Sequence, residues 1–421
     1  MNKESKTYFP SIDDIKVAAD TIKKVSAVTP LMLNVRLSKV FNSNIYFKRE
    51  DLQQVRSYKI RGAYNKISSL TKEESANGVV CASAGNHAQG VALSCKLLKI
   101  KGSIFMPAPT PNQKLEQVKM FGEDYIDIIL HGDTFDDAYR AAMKECDQLK
   151  KTFIHPFNDE KVIEGQATIG LELLEQCKTP IDYIFIPVGG GGLAAGLSAV
   201  FSQLSPNTKI IGVEPEGAPS MTVSIKNNTN TELDHIEKFV DGAAVKRVGD
   251  LTFNVCKAHL HAMITVPEGK VCETILELYN KDAIVVEPAG ALSISALDFY
   301  ADEIKDKHVV CLVSGSNNDI IRTPEIKERA LLYANLKHYF IVKFPQRAGA
   351  LKEFVVEILG ENDDITYFQY AKKTNRENGS AVVGIVLKSS EDLEPLITKM
   401  KRHNFYGDYL NNKPDLFQFL V

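Results

Sequence analysis

The chain has 421 residues, of which 44% are hydrophobic and 24% charged, a composition typical of a folded protein with two or three domains. Its 50 basic and 53 acidic residues give a net charge of −3, which gives no reason to expect a nucleic acid or a membrane as partner. The seven cysteines contain no C-x-x-C pair. This favours reduced thiols in a cytoplasmic protein, with neither disulfides nor a bound metal.

Short β-type runs alternate with amphipathic helical runs over most of the chain. Strands are predicted at GVVCASAG, GSIFMPAP, DYIDIILHG, DYIFIPVGG, KIIGVEPEG and HVVCLVSGS, and a helical run follows each of the first four. This alternation predicts βαβ units and a mainly parallel sheet. Ligands of such sheets bind at the carboxyl ends of the strands, so the turns after these strands are the places to look for a site.

The segment VRSYKIRGA places Lys59 between Arg56 and Arg61. One interpretation is a solvated helix start, and the other is a lysine that reacts. A reactive lysine must be neutral, and burial or nearby positive charge lowers a lysine pKa. The two arginines would therefore lower the pKa of Lys59 if the fold places them close to it, which the sequence leaves open.

The segment ASAGNHAQG also follows a predicted strand. Its small residues allow a ligand to approach the backbone, and Asn86 offers an amide donor before His87. A plain helix cap is the alternative interpretation of this segment.

The segment VGGGGLAAG joins a predicted strand to a predicted helix. Successive glycine amides at such a turn can converge on one anion, helped by the helix N-terminus. The spacing is neither G-x-G-x-x-G nor a P-loop, so a single phosphate is favoured over a pyrophosphate, with a flexible linker as the alternative. The candidate phosphate-binding residues are Gly189, Gly190, Gly191, Gly192 and Leu193.

The segment LVSGSNND ends a further strand and contributes Ser314, a neutral donor and acceptor. A reactive lysine, a monophosphate loop and a serine at strand ends together indicate a pyridoxal phosphate site. An aspartate at position 314 would keep the pyridine nitrogen charged, whereas serine does not. A serine there favours β-elimination over transamination.

The motifs SYKIRGAY, SAGNHAQG, VGGGGL, EPAGA and SGSN resemble, in order and spacing, the tryptophan-synthase-like (fold type II) pyridoxal phosphate enzymes, and among these the threonine dehydratases. The resemblance implies an α/β catalytic domain over residues 1–330, with two parallel-sheet subdomains, the smaller inserted at about 57–157. It implies conversion of L-threonine to 2-oxobutanoate and ammonia, with L-serine as a poorer substrate. It also implies site roles: Lys59 binds the cofactor and is the general base, Asn86 contacts the ring hydroxyl, Gly189 to Gly192 with Leu193 hold the phosphate, and Ser314 faces the pyridine nitrogen.

Related activities remain open at this point. Serine racemases resemble this chain but carry a serine, their second base, where this chain has Ala84. Their divalent cation site resembles VEPEGAPS, in which Glu214 and Ala218 match but Ser220 replaces a carboxylate. A tight divalent site is therefore not expected, and a monovalent cation is left as a candidate. Threonine synthase, cysteine synthase and a non-catalytic amino-acid sensor are further alternatives.

The pattern changes after Leu336. Residues 337–412 contain the order βαββαβ, which predicts a small ferredoxin-like domain. The segment FPQRAGALKEF within it resembles the ACT-like regulatory domain of biosynthetic threonine dehydratases. This implies allosteric inhibition by isoleucine, with valine as an opposing effector, and a homotetramer or homodimer. A domain that only mediates oligomerisation is the alternative.

Overall fold

A computed structural model describes residues 8–370, 378–413 and 416. The chain divides into two compact units, Met1–Ile320 and Ile321–Val421. Within the described residues, no helix combines the length and the apolar character needed to span a bilayer.

The strands are named in chain order. They are β1 (Leu31–Leu33), β2 (Asn44–Arg49), β3 (Val79–Ala82), β4 (Gly102–Met106), β5 (Ile126–Leu130), β6 (Thr152–Phe153), β7 (Tyr183–Pro187), β8 (Lys209–Pro215), β9 (Ala262–Val266), β10 (His308–Val313), β11 (Lys337–Pro345), β12 (Asp364–Tyr370), β13 (Asn378–Val386) and β14 (Tyr406–Tyr409).

The α-helices are named in the same way. They are α1 (Ile12–Ile22), α2 (Val35–Val40), α3 (Lys59–Ser68), α4 (Lys72–Asn77), α5 (Asn86–Leu98), α6 (Asn112–Gly122), α7 (Phe135–Leu149), α8 (Glu160–Gln176), α9 (Gly192–Leu204), α10 (Ser220–Lys226), α11 (Asp250–His259), α12 (Glu268–Asp282), α13 (Pro288–Ser295), α14 (Thr323–Tyr333), α15 (Ala350–Glu353) and α16 (Leu393–Arg402).

The larger sheet of the first unit has six described strands in the order β1-β2-β10-β7-β8-β9. All neighbouring strands are parallel except β1, which pairs antiparallel with β2 at the edge. Every residue of β7 is buried, as expected for a central strand covered by helices on both faces. The core on one side of this sheet is formed by the buried faces of α8 and α9, including Ile163, Leu197 and Phe201.

The smaller sheet has the order β5-β4-β3-β6 and is parallel throughout. Its helix α5 packs on α3, and both contribute to a separate core that includes Ile60 and Val91. Gly90 makes this packing possible, because a Cβ there would lie 3.1 Å from the carbonyl of Lys59. The first unit therefore contains the two parallel-sheet subdomains expected from the sequence, and the fold class is confirmed.

The second unit contains an antiparallel sheet in the order β12-β13-β11-β14. Its chain order, with α15 and α16 as the two helical segments, is the predicted βαββαβ. A π-helical turn continues α15, and the core contains Phe340, Phe354 and Phe405. Helix α14 belongs to this unit, and its Glu328 accepts hydrogen bonds from Lys337 and, at 2.6 Å, from the hydroxyl of Tyr339.

Candidate active site

A cavity of about 710 Å³ lies within the first unit. All of the site residues predicted from the sequence line it: Lys59, Asn86, Gly189, Gly190, Gly191, Gly192, Leu193 and Ser314. They come from the start of α3, the start of α5, the turn between β7 and α9, and the residue after β10. The fold thus brings together segments that are up to 255 positions apart in the chain, counted from Lys59 to Ser314 (314 − 59).

Neighbouring residues pack closely against the glycine turn. A Cβ added at Gly190 would overlap the ring of Phe157, and one at Gly189 would lie 2.9 Å from the Cα of Ala243. Gly191 has a φ of 89°, a left-handed conformation that side chains disfavour. The turn can therefore be built only from glycine at these positions.

Helix α9 begins at Gly192 directly after this turn, and no side chain caps it. The first amides of a helix have no partner within the helix, and the helix dipole adds partial positive charge there. An uncapped helix start beside a glycine turn in a cavity wall is an arrangement that binds a phosphate.

Lys59 is the first residue of α3 and is partly buried in the cavity wall. Its Nζ donates a hydrogen bond to the carbonyl oxygen of Pro156 at 2.9 Å. Burial lowers the pKa of Lys59 to about 8, although the carboxylate of Glu287 acts in the opposite direction. The amine is therefore neutral in a much larger fraction of molecules than that of an ordinary lysine.

The flanking arginines do not contribute to the lowered pKa of Lys59. Arg56 is exposed, and Arg61 is 1% exposed and held by two carboxylates. Its guanidinium bonds Glu50 at 2.8 Å and Glu172 at 2.6 Å, so its charge is neutralised where it lies. Burial, and not neighbouring positive charge, lowers the pKa of Lys59.

Asn86 and Ser314 lie at the carboxyl ends of strands in two different sheets. Asn86 follows β3, where its Nδ2 donates to the Oε1 of Glu287 and its Oδ1 accepts from the Nδ2 of Asn317, both at 2.6 Å. Ser314 directly follows β10 and is 2% exposed. Both residues therefore contribute polar side chains to the cavity wall.

Two histidines complete the polar wall near Lys59. Burial lowers the pKa of His87 to about 3 and that of His155 to about 4, with the charge of Lys59 contributing to both. The ring of His87 also contacts the carbonyl of Ile154 at 2.8 Å. Both imidazoles are therefore neutral at physiological pH.

Glu287 is the site residue that the sequence analysis left without a role. It precedes α13, is 5% exposed and lines the cavity. Burial raises its pKa to about 7, and Asp241 adds to the effect. The sequence feature that could have identified Glu287 is its position as the single charged residue in the apolar segment AIVVEPAGALSISAL, within the EPAGA motif.

Glu214 lies outside the cavity lining and has a structural explanation. Both of its carboxylate oxygens accept hydrogen bonds from the start of α10, from the amide of Met221 at 2.7 Å and that of Thr222 at 2.8 Å. In the part of the chain that the structure describes, no group of three or more histidine, cysteine or acidic side chains is arranged to hold a metal ion.

The residues of the cavity fit pyridoxal phosphate. The amine of Lys59, which can lose its proton, can react with the cofactor aldehyde, and the glycine turn with the start of α9 can bind the phosphate. Asn86 and Ser314 can form hydrogen bonds with the ring hydroxyl and the ring nitrogen. This combination defines a pyridoxal phosphate enzyme of fold type II.

Comparison with known proteins agrees with that class. Residues 22–315 match the family model described as pyridoxal-phosphate dependent enzyme, and residues 328–420 match the C-terminal regulatory domain of threonine dehydratase. The biosynthetic L-threonine dehydratases of Halalkalibacterium halodurans and Bacillus subtilis are both 54% identical over 97% of this chain, covering 99% and 97% of their own lengths. The chain belongs to the biosynthetic threonine dehydratases within the pyridoxal-phosphate dependent enzyme family.

Solved structures give the same relationship. Threonine deaminase isoform 2 from Solanum lycopersicum is 40% identical with a TM-score of 0.72, over 77% of this chain and 90% of its own. A serine racemase from Dictyostelium discoideum is 32% identical with a TM-score of 0.68, over 74% of this chain and 99% of its own.

Proposed function

We propose that this protein converts L-threonine to 2-oxobutanoate and ammonia with pyridoxal phosphate as cofactor, and that L-serine is a second, poorer substrate. The observation that carries the proposal is the convergence of Lys59, Asn86, the glycine turn and Ser314 on one cavity. The high identity to threonine dehydratases over nearly the full chain supports the choice of substrate.

We assign the residues the roles that the resemblance implies, and their shared position in the cavity wall supports this assignment. Gly189 to Gly192 and Leu193 hold the cofactor phosphate, Asn86 binds the ring hydroxyl and Ser314 binds the pyridine nitrogen. When bound, the cofactor withdraws electrons from the substrate Cα and so makes its proton acidic. The amine of Lys59 takes that proton, for which its lowered pKa is suited.

The overall change balances without an oxidant or reductant. The Cα–H and Cβ–O bonds of threonine break with loss of water, and the resulting enamine takes up water and releases ammonia. The elements of threonine are thus divided between 2-oxobutanoate and ammonia.

Racemisation is the activity that the serine racemase relative suggests. The side chain that lines the cavity just before Gly85 is Ala84, which has no hydroxyl to serve as a second base. We therefore propose that elimination dominates. Replacing Ala84 with serine should add measurable racemisation of L-serine, followed by chiral chromatography.

The decisive assay is release of 2-oxobutanoate from L-threonine by the full chain loaded with pyridoxal phosphate. Lys59→Ala serves as the matched control, because it keeps the remaining cavity wall. If the loaded protein produces no ketoacid from threonine but forms cysteine from an activated serine and sulfide, the chain is a synthase. Ligand binding without any turnover would instead indicate an amino-acid sensor.

We further propose that isoleucine inhibits this enzyme through the second unit, that valine opposes isoleucine, and that the chain assembles into a homotetramer or homodimer in the cytoplasm. The match to a regulatory domain supports an amino-acid effector. Within FPQRAGALKEF, Gly349 has a φ of 85° and directly precedes α15, whose first backbone amides receive no side-chain cap. A monovalent cation stays a candidate ligand of the first unit, and we assign it no binding residues.

Regulation can be tested by truncation. The cut belongs after Ile320, since α14 packs with the second unit. An effector coupling of about 1–3 kcal/mol should weaken the affinity of the full chain for threonine by about 5- to 150-fold at saturating isoleucine, which lowers turnover at subsaturating threonine. The truncated protein should turn over threonine without that response. Equal inhibition of both proteins would place the effector site in the first unit.

A further inference from the structure

Glu287 is a buried carboxylate that forms no ion pair among the described residues. It is 5% exposed, and its hydrogen-bond donors are the side-chain amide of Asn86 at 2.6 Å and the backbone amide of Asn317. A buried charge without an ionic partner is unfavourable, and buried charges are usually paired. Its place in the cavity wall therefore calls for an explanation beyond packing.

The hydrogen bonds around Asn86 run in one direction. Asn317 Nδ2 donates to Asn86 Oδ1, and Asn86 Nδ2 donates to Glu287 Oε1. An ionised carboxylate has only acceptors, so the NH2 group of Asn86 must face it and the carbonyl must face Asn317. One hydrogen of Asn86 Nδ2 then remains available at the cavity.

We propose that Glu287 is a positioning residue, whose ionised carboxylate fixes the side-chain amide of Asn86 with one N–H available to the cofactor ring hydroxyl. Protonation of Glu287 removes the charge that strengthens this hydrogen bond. Asn317, whose Nδ2 also donates to the carbonyl of Val55 at 2.9 Å, still faces the oxygen of Asn86. The amide of Asn86 is then held firmly from one side only, and its N–H contact with the ring hydroxyl weakens. This inference rests on the proposed function, because it takes Asn86 as a cofactor contact.

The charges around Glu287 bring its ionisation into the physiological range. Burial and, to a smaller extent, the charge of Asp241 raise its pKa, which lies at about 7. The hydrogen bond from Asn86 and the charge of Lys114, which is itself paired with Asp241 at 2.8 Å, lower it. Lys59 also faces this carboxylate, as the effect of Glu287 on the lysine pKa shows.

Lys59, with a pKa of about 8, is another cavity group that changes charge between pH 5.5 and 8.5, so the Glu287→Gln variant is needed to assign a pH effect to Glu287. The pKa values of His87 and His155, about 3 and about 4, keep both rings neutral above pH 5. Burial raises the pKa of Tyr58 far above neutrality. Loss of the N–H contact as the pH falls through about 7 is therefore expected to follow Glu287.

The test uses two probes that cannot bond to Lys59 because they lack the aldehyde. Pyridoxine 5′-phosphate keeps the ring hydroxyl, and its 3-deoxy analogue lacks it. Affinities for the full chain without cofactor are measured by calorimetry between pH 5.5 and 8.5. The wild-type protein should favour the hydroxyl probe by about tenfold at pH 8, as expected for one charge-supported hydrogen bond, and lose that preference below pH 6.

Glu287→Gln should remove the preference at every pH, because a neutral side chain cannot supply the charge-assisted hydrogen bond that holds the N–H of Asn86. Glu214→Gln is the matched control: burial raises the pKa of Glu214 to about 7 as well, but this residue does not line the cavity. Its preference should follow that of the wild type. Circular dichroism verifies that each variant is folded.

A wild-type preference that does not change with pH overturns the inference without recourse to any variant. So does a Glu287→Gln protein that keeps the wild-type preference, or a control that loses it. Failure of the proposed function is separate, since it appears as absence of 2-oxobutanoate from threonine whatever the probe affinities are. In the active enzyme, Glu287→Gln should also remove the acid limb of kcat/KM near pH 7.

Discussion

Helix α3 carries two cations two residues apart, and they lie in opposite environments. Arg61 is bonded to Glu50 and Glu172, and these carboxylates outweigh the effect of burial, so the pKa of Arg61 is raised. Lys59 has one hydrogen bond, to a neutral carbonyl, and burial lowers its pKa to about 8. Ion pairing thus keeps Arg61 charged, whereas Lys59 forms no ion pair among the described residues and its amine is available for reaction.

The same contrast holds for two buried glutamates. Burial alone would raise the pKa of Glu50, but Arg61 outweighs it and the pKa is lowered. Glu287 lacks such a partner, and its pKa is raised to about 7. The ion pairs of Arg61 with Glu50 and Glu172 hold α3 in place. Lys59 and Glu287, which line the cavity, can change their protonation state near physiological pH.

The largest effect is expected from removing Lys59, the cation that forms no ion pair in the described part of the chain. Lys59→Ala should lower kcat for threonine deamination by at least about 10³-fold, near the upper range for loss of a general base. Its unfolding free energy should be unchanged or higher, since a partly buried amine is removed. Ketoacid release and urea unfolding measure the two quantities. Substantial turnover by this variant would assign the base to another residue.

Removing Arg61, the paired cation, should affect mainly the free energy of unfolding. Arg61→Gln leaves buried Glu50 without its ion-pair partner, whereas Glu172 keeps its pair with Lys48. The variant should destabilise the first unit by about 3–5 kcal/mol at pH 7. Wild-type Glu50 has a folded pKa below its ordinary value of 4.5, so it contributes stability above pH 4.5 that is lost as the pH falls. The difference between variant and wild type should therefore shrink on acidification.

A matched control for Arg61 is Arg140, an exposed residue paired with Asp137 at 2.5 Å. Arg140→Gln should change the unfolding free energy by less than about 1 kcal/mol, as is typical of surface pairs. Equal losses in the two variants, measured by urea unfolding, would show that burial of the Arg61 cluster has no special effect.

The smallest effect concerns the pH dependence of cofactor binding. Only the neutral amine of Lys59 can attack an aldehyde, so the rate of pyridoxal phosphate binding should rise about tenfold per pH unit below about 8 and level off above it. Stopped-flow absorbance at several pH values measures this rate. A continued rise to pH 10 would show that the lysine has an ordinary pKa.

The sequence predicted the turns that carry most of the site because local rules govern them. Strands β3, β7 and β10 each end at small or polar residues, and the ends of parallel strands lie on one side of a sheet. That reasoning placed Asn86, the glycine turn and Ser314 correctly at strand ends. Their specific contacts with the cofactor stay predictions.

What the sequence could not predict depends on distant partners. The carboxylate of Glu172 is 111 positions from Arg61 along the chain, so the pairing of that arginine had no local signal. Glu287 meets Asn86 over 201 positions, and its raised pKa arises from burial that only the folded chain creates. The antiparallel edge strand β1 is short and has no alternating pattern.

The most direct test of the site is chemical mapping of the cofactor. The full chain is loaded with pyridoxal phosphate, reduced with borohydride, digested and analysed by peptide mass spectrometry. The account predicts one reduced cofactor per chain, attached to the peptide that contains Lys59. Attachment at Lys48, Lys114 or another lysine, or no attachment at saturating cofactor, would contradict it.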